Sequence, residues 1–160
     1  MTVLDDEKFM RLAIEKTREG IRRGQTPFGA CLVSAEGKIL ACEHNVVWET
    51  TDITAHGEIH TLRVACRKAG AIDLSGSTIY STTEPCPMCF AAIHWARIKR
   101  VVYGASIADA ARAGFNELSI SNELMKTNGG SPVEITGGVL TSECVALFAE
   151  WKKFGQARVY

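Results

Sequence analysis

Hydrophobic and polar positions follow two different periods along the chain, and each change of period marks a predicted element. Over residues 5–23 the apolar side chains Phe9, Leu12, Ala13 and Ile21 recur at helical spacing, with charged residues between them. This spacing predicts an amphipathic helix. Two segments of apolar and β-branched residues follow, PFGACLVS and ILACEHN, with the turn sequence AEGK between them. They predict two strands of a β-hairpin.

The remaining chain alternates between predicted helices and predicted strands. Helices are predicted over residues 55–68, from about residue 87, once or twice within 105–132, and over 142–154. Short β-rich segments predict buried strands at STIYST, RVVYG and VEITGGVL. QARVY is left as a tail that is too short to form an element of its own.

The order of these elements predicts an α/β fold. Strands that alternate with helices favour parallel pairing with helices on both faces of the sheet. The first two strands are too close in sequence to be parallel, because a parallel pair needs a long crossover. We therefore predict a three-layer α/β/α sandwich with a five-stranded mixed sheet, formed by one domain over residues 1–160.

Composition narrows the classes of function. The 160 residues include 46% hydrophobic and 22% charged residues, an ordinary globular balance. Lysine plus arginine equals aspartate plus glutamate at 18 each, so no bulk charge favours nucleic acid. Neither a membrane-spanning run nor a signal-peptide pattern is present, which predicts a cytoplasmic protein. The six cysteines are then expected to be free thiols or metal ligands.

Two short motifs together predict a metal site. Cys86 and Cys89 lie in TEPCPMC, and a Cys-x-x-Cys turn alone can be a redox pair, a zinc site or chance. The proline at position 87 favours a helix start there, where thiolates are stabilised. His56 begins a second predicted helix. One imidazole and two thiolates match a catalytic zinc site, which keeps a fourth position open for water.

The segment AHGEIH, which contains His56, also contains a candidate catalytic residue. A zinc-protease helix needs glutamate directly after its first histidine, and Gly57 stands there instead. Glu58, two residues after His56, can lie beside the metal without binding it and can carry protons. The pair of motifs is typical of zinc-dependent nucleobase deaminases. By these motifs the chain resembles the cytidine deaminase superfamily over nearly its whole length, and the resemblance implies one Zn²⁺ per chain.

Further segments resemble the zinc-dependent guanine deaminases of that fold. The closest likeness is ADAARAGFNE together with the terminal tyrosine, which implies pocket roles for Glu117 and Tyr160. TPFGA and EHN imply that Phe28 stacks on a base and that Asn45 reads its edge. A carboxylate at Glu117 suits the adjacent N–H donors of guanine. Trp95 is expected to supply a further flat wall.

The expected activity is hydrolytic deamination of free guanine to xanthine and ammonia, within purine metabolism, by a homodimer without membrane contact. Other small substrates stay open, because HGE in place of the commoner HAE also occurs in fungal-type cytosine deaminases. These alternatives are cytosine, guanosine and aminotriazines. Editing of adenosine in tRNA needs a basic groove. The sequence offers only Arg97, Lys99 and Arg100 for one, so a nucleic-acid partner is not expected.

Overall fold

A five-stranded sheet forms the centre of the molecule, as seen in a computed structural model that describes residues 4–155 and 157–160. Its strands lie in the order β2-β1-β3-β4-β5. They are β1 (Gly29–Val33), β2 (Ile39–His44), β3 (Thr78–Thr83), β4 (Arg100–Ala105) and β5 (Glu134–Thr136). Strand β1 runs antiparallel to β2 and β3, whereas β3, β4 and β5 are parallel. The predicted mixed sheet with an antiparallel hairpin at its edge is confirmed.

Helices cover both faces of this sheet. They are α1 (Asp6–Arg22), α2 (Val47–Thr50), α3 (Gly57–Ala69), α4 (Pro87–Trp95), α5 (Ile107–Ala113), α6 (Asn122–Gly129) and α7 (Thr141–Lys153). Helices α1 and α7 pack with Cys31 and Val33 of β1 on one face. Helices α3 and α4 pack with Ala30 and Leu32 of the same strand on the other. Because successive side chains of a strand point to opposite faces, β1 contributes to both cores, which confirms the three layers.

The last strand is shorter than predicted. The sequence predicts a strand over residues 133–140, but pairing with β4 ends at Thr136. At Gly137 a Cβ atom would lie 2.6 Å from the Tyr103 ring, so the chain passes too close for any side chain. Gly138 then adopts a φ of +82°, which turns the backbone out of the sheet. The two glycines therefore end the strand before the boundary that the sequence predicts.

Within the described residues, no helix has the length and apolar character needed to cross a membrane. Of the predicted tail QARVY the structure describes residues 157–160, and Gln156 lies outside the described residues. The six cysteines are all free thiols. This agrees with the expectation that the chain has no disulfide framework.

Candidate metal and active site

Two helix starts bring His56, Cys86 and Cys89 together. His56 is the N-cap of α3, and Cys86 is the N-cap of α4, with a proline at the first helical position as the sequence predicts. Cys89 follows one turn later and is fully buried. The Nδ1 atom of His56 lies 3.6 Å from the Cys86 sulfur and 3.7 Å from the Cys89 sulfur. The three ligand atoms all lie within 4.8 Å of one another.

These separations fit a zinc ion. With Zn–N near 2.0–2.1 Å and Zn–S near 2.3 Å, a tetrahedral ion holds its nitrogen and sulfur ligands about 3.6 Å apart. The two measured separations agree with that value. The donor set, one imidazole and two thiols, is also one that zinc prefers. The residues present therefore fit a zinc ion with three protein ligands.

The two thiols differ in acidity. Hydrogen bonds from Cys89 and from His56 lower the pKa of Cys86 to about 4, so this sulfur is a thiolate at neutral pH. The pKa of Cys89 is raised, because its proton is shared with Cys86 and because the sulfur is buried. A coordinated divalent cation deprotonates a thiol outright, so metal binding would release the proton that the pair holds.

Gly57 explains how α3 approaches the sheet so closely. A Cβ atom at this position would lie 3.0 Å from the Cα atom of Gly29 and 3.2 Å from the Phe28 carbonyl oxygen. Such contacts are too tight for an ordinary side chain without a shift of the backbone. The glycine in HGE thus has a packing cause, since it lets the start of α3 rest on the start of β1.

Glu58 lies beside the metal ligands and is buried. Its Oε2 atom accepts a hydrogen bond from the Cys89 thiol at 3.5 Å, and its Oε1 atom lies 3.0 Å from the Ser81 hydroxyl. Burial, followed by the nearby charge of Cys86, raises the pKa of this carboxyl group. A carboxyl group that is held close to the metal position, and whose pKa is raised, is suited to proton transfer. No signal in the sequence pointed to Ser81. Successive residues of β3 point to opposite faces of the sheet, so Ser81 faces α3 while its neighbour Tyr80 faces α1.

Glu117 faces the same cavity from the connection between α5 and α6. The cavity is lined by three glutamates, Glu58, Glu84 and Glu117, together with His56, Cys86 and aromatic rings. Burial, followed by the charge of Cys86, raises the pKa of Glu117. Among the described residues its carboxylate has no hydrogen-bond or ion-pair partner. A half-buried carboxylate without a protein partner is free to accept hydrogen bonds from a ligand.

Tyr160 closes this cavity from the tail of its own chain. Its ring centroid lies 5.5 Å from that of His56, and its hydroxyl accepts a hydrogen bond of 2.7 Å from the Asn45 Nδ2 atom. With this ring in place the inner cavity has a volume of about 20 Å³. That is room for about one water molecule. An outer groove of about 290 Å³ adjoins it, and Ile53, Met88 and the same tyrosine are among its lining residues.

The two other predicted substrate contacts, Phe28 and Asn45, differ in how directly they reach the inner cavity. Phe28 lines the inner cavity, and its ring packs edge-on against Phe115 with centroids 4.8 Å apart. Asn45 is fully buried behind Tyr160, and its Oδ1 atom accepts from the Val47 amide. Its amide group therefore reaches the cavity only through the tyrosine hydroxyl that it holds.

Trp95 is not part of this pocket, and its predicted role as a pocket wall is wrong. The side chain is 76% exposed and lies in a separate groove with His94 and Arg97. It is nine residues beyond Cys86 on α4, and a helix rises about 1.5 Å per residue. The ring is therefore carried about 13 Å along the helix axis from Cys86 and about 9 Å from Cys89. The remaining histidines also bind elsewhere: His60 to the His44 carbonyl, and His94 to Ser131.

Comparison with known proteins gives a consistent family. Residues 4–105 match the family described as the cytidine and deoxycytidylate deaminase zinc-binding region. A guanine deaminase from Bacillus subtilis (strain 168) is 37% identical over 158 residues, which cover 98% of this chain and 100% of that protein. A tRNA-specific adenosine deaminase from the same organism is 34% identical over 152 residues, covering 92% of this chain and 91% of that one.

Solved structures show the same likeness in three dimensions. The structure of a guanine deaminase from Nitrosomonas europaea superposes with a TM-score of 0.86 at 26% identity, covering 96% of this chain and 87% of the other. A structure from a study of A-to-I editing by tRNA:A34 deaminases superposes with a TM-score of 0.76 at 34% identity, covering 88% and 98%. The metal ligands and the buried glutamate described above are thus set in a fold shared with known deaminases.

Proposed function

Because the chain belongs to the cytidine and deoxycytidylate deaminase family, whose zinc-binding region it carries, we propose that it hydrolyses guanine to xanthine and ammonia. The observation that carries the choice of guanine is Glu117. Its carboxylate lines the same cavity as His56 and Cys86 and has no partner among the described residues. Guanine presents a ring N–H and an exocyclic amine side by side, and a carboxylate can accept from donors on that edge.

In this proposal His56, Cys86 and Cys89 hold one zinc ion per chain. When bound, zinc supplies a Lewis acid that polarises a water molecule for attack on the ring carbon bearing the amine. Glu58 takes a proton from that water and delivers it to the adjacent ring nitrogen. Glu58 would then carry the remaining proton of the added hydroxyl group to the amine, which leaves as ammonia. One water is consumed, and the products are xanthine and ammonia.

The walls of the cavity support a flat, neutral substrate. Phe28 and Tyr160 present aromatic rings to the space beside His56. Such rings stack on a planar base and exclude water from the reaction. The sequence HGE is one argument for a cytosine substrate. The close contact of Gly57 with Gly29 explains this glycine without reference to the base, so that argument is removed.

Editing of adenosine in tRNA is the second candidate, since a tRNA-specific adenosine deaminase is 34% identical to this chain. The charges around Arg97, Lys99 and Arg100 argue against this second candidate. Arg100 forms a two-pronged ion pair with Asp6. Arg97 lies 3.5 Å from Asp73, and Lys99 lies 3.9 Å from Glu134. Each cation already faces a carboxylate, so the cluster offers little net charge to a phosphate backbone.

The function is tested by ammonia release from the zinc-loaded protein. The substrates to compare are guanine, guanosine, cytosine, adenine, an aminotriazine and an adenosine-containing RNA stem-loop. We expect the highest kcat/KM for guanine, with little change between roughly 50 and 200 mM salt, because no phosphate contact is made. A higher kcat/KM for the stem-loop that falls steeply with salt would replace guanine with RNA as the substrate.

Replacing Glu117 with glutamine should separate recognition of guanine from folding. The amide keeps the shape of the side chain but removes the charge that strengthens hydrogen bonds from the base. We expect kcat/KM for guanine to fall by at least about 10-fold, the cost of a lost charge-assisted hydrogen bond of roughly 1.5–3 kcal/mol. The melting temperature should stay unchanged, because the carboxylate has no partner in the described protein. Unchanged kinetics would return Glu117 to a structural role.

Replacing Tyr160 with alanine should open the cavity to water. The ring packs against His56 and Phe115, and its hydroxyl bonds Asn45, so we propose that it closes over the bound base. We expect kcat for guanine to fall more than 10-fold while zinc content is retained, as for loss of a lid. Tyr160→Phe keeps the ring and loses the hydrogen bond. Its kcat should lie between those of the parent protein and the alanine variant. An alanine variant as active as the parent protein would contradict the lid.

We further propose that the whole chain acts as a single deaminase domain in cytoplasmic purine metabolism and that it pairs as a homodimer. Six cysteines without a disulfide bond suit a reducing compartment. Large apolar side chains exposed near one another on the α3 and α4 side, Ile72 at 81% and Trp95 at 76%, suit a partner surface. A twofold dimer is the commonest arrangement for such chains.

A further inference from the structure

Glu84 is a buried carboxylate that contributes nothing to the chemistry above. It follows β3 directly and is only 8% exposed. One carboxylate oxygen accepts from the backbone N–H of Ile107 at 3.2 Å, and the other accepts from that of Asn122 at 2.9 Å. These are the first residues of α5 and α6. A single side chain therefore fastens the starts of two helices to the end of one strand.

Asn122 adds a second link at the same point. Its side chain is fully buried, and its Nδ2 atom donates to the Pro85 carbonyl at 2.6 Å. Its Oδ1 atom has no partner within the part of the chain that the structure describes, so Nδ2 alone holds the amide. Pro85 directly precedes the metal ligand Cys86. The start of α6 is thereby tied to the turn that carries this thiol.

The segment between these two anchor points carries Glu117. Residues 107 and 122 are fixed by Glu84, and the connection from Gly114 to Ser121 runs between α5 and α6. That connection itself has few internal bonds, although Phe115 packs against Phe28 below it. Glu84 and Asn122 thus fix the ends of the segment, and Phe115 fixes its middle, two residues before Glu117, by packing against neighbouring rings.

We infer that Glu84 and Asn122 form a clasp that positions Glu117 over the metal ligands. This role rests on the proposed function of Glu117 in holding the base. Both residues are positioning residues. Glu84 lines the same cavity as Glu117, but each of its carboxylate oxygens is occupied by a backbone N–H group, of Ile107 and of Asn122. A carboxylate suits the task because two buried backbone N–H groups need two acceptors, and glutamine at position 84 would supply only one.

Hydrogen–deuterium exchange of zinc-loaded Glu84→Gln tests the clasp without reference to any substrate. One backbone N–H of Ile107 or Asn122 would face the new amide group and lose its acceptor. We expect peptides spanning residues 105–124 to exchange at least about 10-fold faster, as for local opening of a segment that has lost an anchor. Peptides from α3 and α4, and the zinc content, should stay unchanged.

The matched control is Glu123→Gln. This glutamate is exposed in the first turn of the same helix, so the change removes the same charge without touching the clasp. Its exchange and its activity should equal those of the parent protein. Asn122→Ser is a second clasp variant. It removes the side-chain hydrogen bond to the Pro85 carbonyl and keeps the hydrogen bond from the backbone N–H of residue 122 to Glu84. It should loosen the α6 end alone, and it decides the question if Glu84→Gln does not fold.

A double-mutant cycle joins the clasp to activity. If Glu84 acts through Glu117, Glu84→Gln should lower kcat/KM for guanine by roughly as much as Glu117→Gln and add little in that background. Full additivity, or exchange in Glu84→Gln equal to that in Glu123→Gln, would overturn the clasp. If the parent protein does not deaminate guanine, the proposed function fails by itself, and the exchange result still decides whether the clasp exists.

Discussion

Cys86→Ala is expected to lose both the bound zinc and the deaminase activity. Among the described residues the proposed zinc site has three ligands, of which this thiolate is one. Its sulfur lies 3.6 Å from the His56 Nδ1 atom, the separation that a shared zinc ion requires. Removing it leaves two ligands, which is too few to hold the ion against water and chelators. We expect metal analysis after dialysis to find zinc near one per chain in the parent protein and near zero in the variant.

The fold offers a reason why this variant should still be made as a folded protein. The backbone carbonyl of Cys86 accepts from the Phe90 amide at 2.9 Å, and that bond starts α4 whatever the side chain is. Cys66→Ala is the matched control, because Cys66 is a free thiol on α3 that does not belong to the metal cluster. It should keep zinc and turnover. A Cys86→Ala protein that remains fully loaded with zinc would show that the ligand assignment is wrong.

Local sequence patterns were sufficient for the features that depend on neighbouring residues. The helical spacing around Phe9 and Ile21, the hairpin turn and the short buried strands give the layers of the fold. His56 with Glu58, and Cys86 with Cys89, are each close enough in sequence to form a recognisable motif. A proline after Cys86 marks the helix start that places both thiols. For these residues the chemistry could be predicted because short-range geometry fixes it.

Features that depend on distant residues could not be predicted in the same way. The apolar run over residues 133–140 indicated a long strand, but the Tyr103 ring from β4 requires a bare backbone at Gly137. Glu84 and Asn122 are 38 residues apart in sequence, and nothing local pairs them. Asn45 was expected to read a base edge, yet it reaches the cavity through the hydroxyl of Tyr160, 115 residues away. Each of these contacts exists only once the sheet has formed.

Glu58→Gln is expected to separate metal binding from catalysis. The amide has the shape of the carboxylate, and its oxygen can still accept from Ser81, whose hydroxyl lies 3.0 Å from the native Oε1 atom. Glu58 is not one of the metal ligands, so the variant should keep zinc. The amide cannot take up a proton at any accessible pH, so it cannot move protons from the attacking water to the base.

The expected effect is a fall in kcat of about 100-fold or more, the usual contribution of a general acid–base residue. Calorimetry should find guanine bound to the zinc-loaded variant with nearly the affinity of the parent protein, because the contacts proposed for Glu117 and Phe28 are intact. Glu58→Asp, which keeps a titratable carboxylate about one methylene further from the cavity, should recover part of the activity that glutamine loses. A glutamine variant with near-parent turnover would mean that another group carries the protons. Glu117, whose carboxylate lines the same cavity and has no partner among the described residues, would then be the first residue to test in that role.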